Sequence, residues 1–102
     1  MKILALVSLK KGVPLAQVKP ELQAEVQGSW HLYVSGVLRE AYLTESATTV
    51  VFVMEGPDLQ AAAEELGKLP LVAKGLFDVQ LHEMRPFANW AMLPQAQGPA
   101  AG

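Results

Sequence analysis

The chain has 102 residues, a formal net charge of -2, and 51% hydrophobic but only 18% charged residues. That length fits one domain, and the scattered Lys and Arg, adjacent only at Lys10-Lys11, form no basic stripe for nucleic acid. The absence of cysteine excludes disulfides, thiolate catalysis and Cys-ligated zinc.

Residues 3–9, Ile-Leu-Ala-Leu-Val-Ser-Leu, form an apolar run that suits a buried strand. It is too short to span a bilayer, and it meets Lys10, Lys11 and Gly12 rather than a signal-peptide cleavage site. The expectation is a cytoplasmic protein with no membrane partner. Pro14 opens a short turn at 14–18, and Pro20 opens a main helix over 20–34. Leu15, Val18, Leu22, Val26, Ser29 and Tyr33 recur at helical spacing and predict one core-facing stripe. Gly36 ends the helix in a left-handed conformation.

Residues 37–44 read as a second strand, with Leu38, Glu40 and Tyr42 on one face and Val37, Arg39, Ala41 and Leu43 on the other. Residues 48–55 are dense in β-branched and aromatic types and read as a third strand, joined to the second in a hairpin. Asp58 caps a second helix that ends near Gly67. Leu69-Pro70-Leu71 reads as a break with exposed apolar residues. Residues 76–85 alternate plainly, with Phe77, Val79 and Leu81 opposite Asp78, Gln80 and His82. An apolar segment containing Phe87, Trp90, Met92 and Leu93 completes a single domain over 1–93 and is expected to pack across a partner subunit. Residues 94–102, rich in Pro, Gly, Ala and Gln, read as a disordered tail.

The order β-α-β-β-α-β predicts an α+β, ferredoxin-like subunit with a four-stranded antiparallel sheet. Two helices cover one face of that sheet. The other face carries Ile, Val, Leu and Tyr among polar residues, and leaving it in water is costly. Pairing two such faces predicts a homodimer or higher homo-oligomer with room for a cavity.

Three stretches together resemble the muconolactone delta-isomerase-like proteins of the dimeric α+β barrel superfamily. They are Glu25 with the turn Gly36-Val37-Leu38-Arg39, the Leu69-Pro70-Leu71 element, and the strand ending Glu83-Met84-Arg85-Pro86, and the likeness covers residues 1–90. The resemblance implies a barrel built from two sheets and a cofactor-free site inside it or at its mouth. It implies an isomerase that shifts a double bond in a small lactone, carbonyl or carboxylate compound by proton transfer. It also implies roles for Glu25, eleven residues before the helix-ending glycine, and for Arg39, three residues after it. Ring-forming decamers occur in the family. YCII-related proteins of the same superfamily often carry a His on this helix and an Asp in the sheet. Here the helix position holds Glu25, so that pair is not reproduced. The superfamily also holds cofactor-free monooxygenases and cyclases, and a non-catalytic binding or assembly module of the same fold is the alternative reading.

Read residue by residue, Glu25 lies at the edge of the apolar stripe, where partial burial raises a carboxyl pKa and suits it to proton transfer. Arg39 can hold a carboxylate or a developing enolate, or simply pair with a surface Glu. His82, on the polar face of its strand, is a candidate general acid or base that Asp78 can orient. A hydrogen-bonded histidine at a dimer interface is the commoner reading there. These three, Glu25, Arg39 and His82, are the candidate catalytic residues. Tyr42, Asp78 and Trp30 are the candidate substrate-binding residues, although Trp30 and Tyr33 near the stripe more often mean core. His31 falls opposite the stripe and faces solvent. No metal motif, phosphate loop, nucleophile elbow or dinucleotide fingerprint is present.

Overall fold

The computed structural model describes residues 1–94; the tail expected to be disordered lies, from residue 95 on, outside the described residues. Eight elements follow one another: β1 (Lys2–Leu9), α1 (Leu15–Val18), α2 (Leu22–Val34), β2 (Leu38–Leu43), β3 (Thr49–Glu55), α3 (Leu59–Leu66), α4 (Pro70–Ala73) and β4 (Phe77–Met84). Short 3-10 turns at Lys19–Glu21 and Ala88–Met92 supplement them. The strands form one antiparallel sheet in the order β2-β3-β1-β4, the ferredoxin-like α+β arrangement.

Alternation along each strand divides the sheet into two faces. Ile3, Ala5 and Val7 of β1 stand beside Met54, Phe52 and Val50 of β3. On the other side they meet Glu83, Leu81 and Val79 of β4. Together with Leu32, Leu38, Ala62, Leu66 and Leu69 the apolar members of this face make the core beneath the helices. The opposite face presents Leu4, Leu6, Val51, Val53 and Met84, with Ser8, Thr49, Asp78, Gln80 and His82 among them. No helix covers it.

Local chemistry sets the boundaries. Asp58 has an extended backbone, and its Oδ1 accepts a hydrogen bond from the Ala61 amide at 2.7 Å, which caps α3. Gly36 adopts φ +88 just after α2, the conformation that glycine reaches without steric cost.

Three expectations need correction. The buried side of α2 is not the Leu22, Val26, Tyr33 row, since those residues are 50%, 58% and 52% exposed. The helix turns Glu25, Gly28 and Leu32 inward instead, and of the expected α2 stripe only Ser29 goes with them. At Gly28 a Cβ would lie 2.8 Å from Leu69 Cδ2, so the missing side chain permits this close approach of the helix to Leu69. Leu69 and Leu71, expected to be exposed, are buried, because Pro70 opens the one-turn helix α4 and plugs both leucines into the core. In β2 the register shifts between Leu38 and Glu40. This bulge at Arg39 leaves Leu38, Ala41 and Leu43 on the helix side and Glu40 and Tyr42 on the bare side.

Candidate functional site

Between the helices and the sheet, at the end where β1 finishes and β3 begins, lies a chamber of about 450 Å³. Its walls are mostly apolar, with Val7 and Leu9 from β1, Phe52 from β3, Leu71 from α4 and Phe77 from β4. Leu15 and Val18 of α1 close one side. Ala47 and Thr48 of the β2–β3 hairpin stand at its rim, where Ala47 holds φ 59, a conformation that non-glycine residues adopt at some energetic cost.

Three polar side chains line the chamber: Glu25, Ser29 and Thr48. Glu25 and Ser29 are four residues apart on α2, which stacks them on one face. The Leu71 amide, in the first turn of α4, donates to Glu25 Oε1 at 2.8 Å. This bond holds the carboxylate in one orientation and leaves Oε2 for other partners. Burial pushes the Glu25 carboxyl above its ordinary value, and the Leu71 hydrogen bond opposes that shift without cancelling it. The Lys74 ammonium, just past α4, pairs with Glu21 rather than with Glu25. Ser29 Oγ donates to the Val26 carbonyl at 2.7 Å. Thr48 Oγ1 ends a chain of hydroxyls through Ser46, at 2.8 Å, to Thr44, at 3.2 Å.

A second hollow, also of about 450 Å³, runs between α2 and the edge strand β2. It shares Val26 and Ser29 with the chamber and brings together Trp30, Arg39 and Tyr42. Trp30 stacks on Tyr33 with ring centroids 5.4 Å apart, and both rings are largely exposed rather than part of the core. Tyr42 Oη donates to Glu40 Oε1 at 2.6 Å. This bond and the Glu40 charge raise the tyrosine pKa.

His82 and Asp78 lie on neither hollow. Both are exposed on the bare face of β4, where His82 stands opposite Leu4 and Asp78 opposite Ser8. Four residues along a strand span about 13 Å, and Asp78 turns to Lys10 instead, at 3.9 Å. Asp78 therefore does not orient His82 within one chain. The six sequence candidates fall into three places: Glu25 in the chamber, Arg39, Trp30 and Tyr42 along the groove beside it, and His82 with Asp78 on the bare sheet. Ser29, which the sequence placed only in the helical stripe, and Thr48 are polar wall residues that were not among the site candidates. The four-residue spacing from Glu25 was a usable signal for Ser29, whereas only the folded hairpin brings Thr48 to the rim.

Among the described residues, no group of three or more His, Asp or Glu side chains is placed to hold a metal ion, and no helix is long and apolar enough to cross a membrane.

No protein-family model matches the sequence, and no curated protein matches it. Solved structures do. A crystal structure of muconolactone isomerase superposes with a TM-score of 0.68 at 18% identity, over 85% of this chain and 93% of that one. The 5-chloro-2-hydroxyhydroquinone dehydrochlorinase of Burkholderia phenoliruptrix AC1100, solved with 2,5-dihydroxybenzoquinone, superposes with a TM-score of 0.63 at 14% identity. That match spans 83% of this chain and 94% of the other. The chain thus shares the ferredoxin-like α+β fold of two enzymes that act on small molecules, muconolactone isomerase and this dehydrochlorinase.

Proposed function

We propose that this protein is a proton-transfer enzyme, an isomerase without a cofactor, that moves a double bond in a small carbonyl compound held in the chamber. One observation carries the reading: Glu25 is the acidic side chain in a largely apolar chamber, half-buried and fixed by a backbone amide. A carboxylate made more basic by burial and held in one orientation is suited to take a proton from carbon. The step balances without an oxidant. Glu25 removes a proton from the carbon beside the carbonyl or its vinylogue, the electron pair delocalises onto the carbonyl oxygen, and the Glu25 carboxyl, whose proton exchanges with solvent, returns a proton to a carbon of the extended enolate. The Thr48 hydroxyl is the available donor to that oxygen, since the Ser29 proton is given to the Val26 carbonyl. The two structural neighbours support the reading because each is an enzyme that works on a small organic molecule.

Arg39, Trp30 and Tyr42 then belong to the neighbouring groove, which shares Val26 and Ser29 with the chamber. In a homodimer built by facing the bare sheets, His82 and Asp78 line the enclosed space.

Deuterium uptake tests the proposal even while the product is unidentified. A panel of butenolides and cyclic enones is incubated with the protein in D2O and followed by NMR. Wild-type protein is expected to speed exchange at the carbon beside the carbonyl or its vinylogue, and Glu25→Gln to slow it by a factor of about 100 or more. Equal exchange by wild type and variant removes Glu25 from the chemistry. No exchange above buffer leaves the chamber as a binding site of a non-catalytic module.

A further inference from the structure

We propose that the chamber selects uncharged ligands, rejecting a carboxylate-bearing molecule of the same size, and that Glu25 is the discriminating group. The inference rests on reading the chamber as the substrate site and adds the charge class of the substrate. Among the described residues that line it, none is Lys, Arg or His. The cations around it are committed or lie outside: Lys74 pairs with Glu21, Lys10 with Asp78, and Arg39 lines the groove on the far side of Val26 and Ser29. An anion entering the chamber would lose its hydration and find only two hydroxyl groups to replace it. It would also meet Glu25, whose own charge the apolar walls already disfavour, and like charges at close range in such surroundings repel strongly.

A neutral ring bearing one carbonyl meets none of these costs. Its apolar body takes up the surface offered by Val7, Phe52, Leu71 and Phe77. Its oxygen accepts from a wall hydroxyl, and Glu25 is left to act on its C–H bonds. By filling the chamber, a neutral ligand also keeps water from the carboxylate, which strengthens it as a base. The chamber thereby favours the ligand type on which its single carboxylate can work.

A matched pair of probes tests this: 3-methylcyclohex-2-enone and 3-oxocyclohex-1-ene-1-carboxylate, in which a carboxylate replaces the methyl group. Titrations are followed through the backbone amide signals of Leu71 and Phe52. At pH 7.5 the neutral probe is expected to bind at least tenfold more tightly, about 1.4 kcal/mol. Glu25→Gln keeps an acceptor for the Leu71 amide and removes the charge, so the gap should shrink. If that variant does not fold, the same narrowing should appear in wild type as the pH is lowered through the folded-state value of Glu25. Equal or tighter binding of the carboxylate overturns the proposal. A gap that responds neither to Glu25→Gln nor to pH removes Glu25 as the discriminator and overturns it as stated. If neither probe moves the chamber amides, this inference and the proposed function fall together. A neutral preference without any deuterium exchange leaves this inference standing and sinks only the catalytic reading.

Discussion

Glu25 is asked to do two things whose pH dependences run in opposite directions. Its folded-state pKa lies above the ordinary value of 4.5 because burial penalises the charged form. The folded chain therefore binds this proton more tightly than the unfolded chain does, and unfolding releases it. By linkage, the carboxyl's contribution to stability is fully present below about pH 4.5 and is lost as the pH rises through the folded value. Catalysis by a general base needs the ionised form, so the exchange rate should rise over that same window. Urea unfolding of wild type and Glu25→Gln from pH 4 to 8 tests the first half. The stability of wild type relative to the variant should fall as pH rises, while wild-type exchange activity climbs. A relative stability that rises with pH would mean that the Leu71 hydrogen bond outweighs burial, and that Glu25 is held as an anion rather than tuned as a base.

The individual elements show which features a sequence displays and which it conceals. The alternation of Phe77, Val79 and Leu81 against Asp78, Gln80 and His82 survives intact in β4, because a strand with one buried face has no freedom to rotate. The Asp58 cap and the Gly36 turn were legible because each residue type answers a local backbone demand. The orientation of α2 was not. Its large apolar residues mark one side, but the helix approaches the core most closely at its smallest residue, Gly28, against a leucine forty-one residues further along the chain. The candidate site follows the same division: Glu25 was visible from its helical position, whereas its bond to Leu71 depends on the burial of α4. The cap on α3 offers a quantitative check. That helix contributes the buried side chains Ala62 and Leu66 to the core. Asp58→Ala removes the acceptor for the Ala61 amide and should cost about 1 kcal/mol, within a range of roughly 0.5–2. Gln60→Ala, on the exposed side of the same first turn, should change stability by less than about 0.5 kcal/mol. Denaturant midpoints at constant slope measure both. Equal effects would show that the Asp58 bond contributes nothing beyond the general tolerance of the helix end.

For the molecule as a whole, the question is what covers the bare face of the sheet. Leu4 and Leu6 of β1 lie beside Val53 and Val51 of β3 at its centre, and all four are incompletely buried in one chain. Completing their burial in two copies is worth about 1 kcal/mol per side chain. Eight such side chains reach the order of the roughly 4–15 kcal/mol that association costs. Further apolar surface stands exposed on α2 at Val26, Trp30 and Val34, and on the C-terminal segment at Phe87, Trp90 and Met92, so the sheet is not the sole candidate contact. Substitution separates the two. Leu6 faces Val51 on one side and Gln80 on the other, which places it mid-sheet, where a lysine can remain solvated in a monomer but not between two sheets. Sedimentation of wild type at micromolar concentration should give at least twice the 11.0 kDa of one chain. Leu6→Lys should reduce this to a single chain with its circular dichroism unchanged, while Trp30→Lys leaves the assembly intact. The reverse pattern would move the interface to the outer face of α2, and His82 and Asp78 would then face solvent rather than an enclosed space. A wild-type chain that sediments alone would mean that the incompletely buried leucines and valines of this sheet tolerate water, and the paired-sheet barrel would be lost with it.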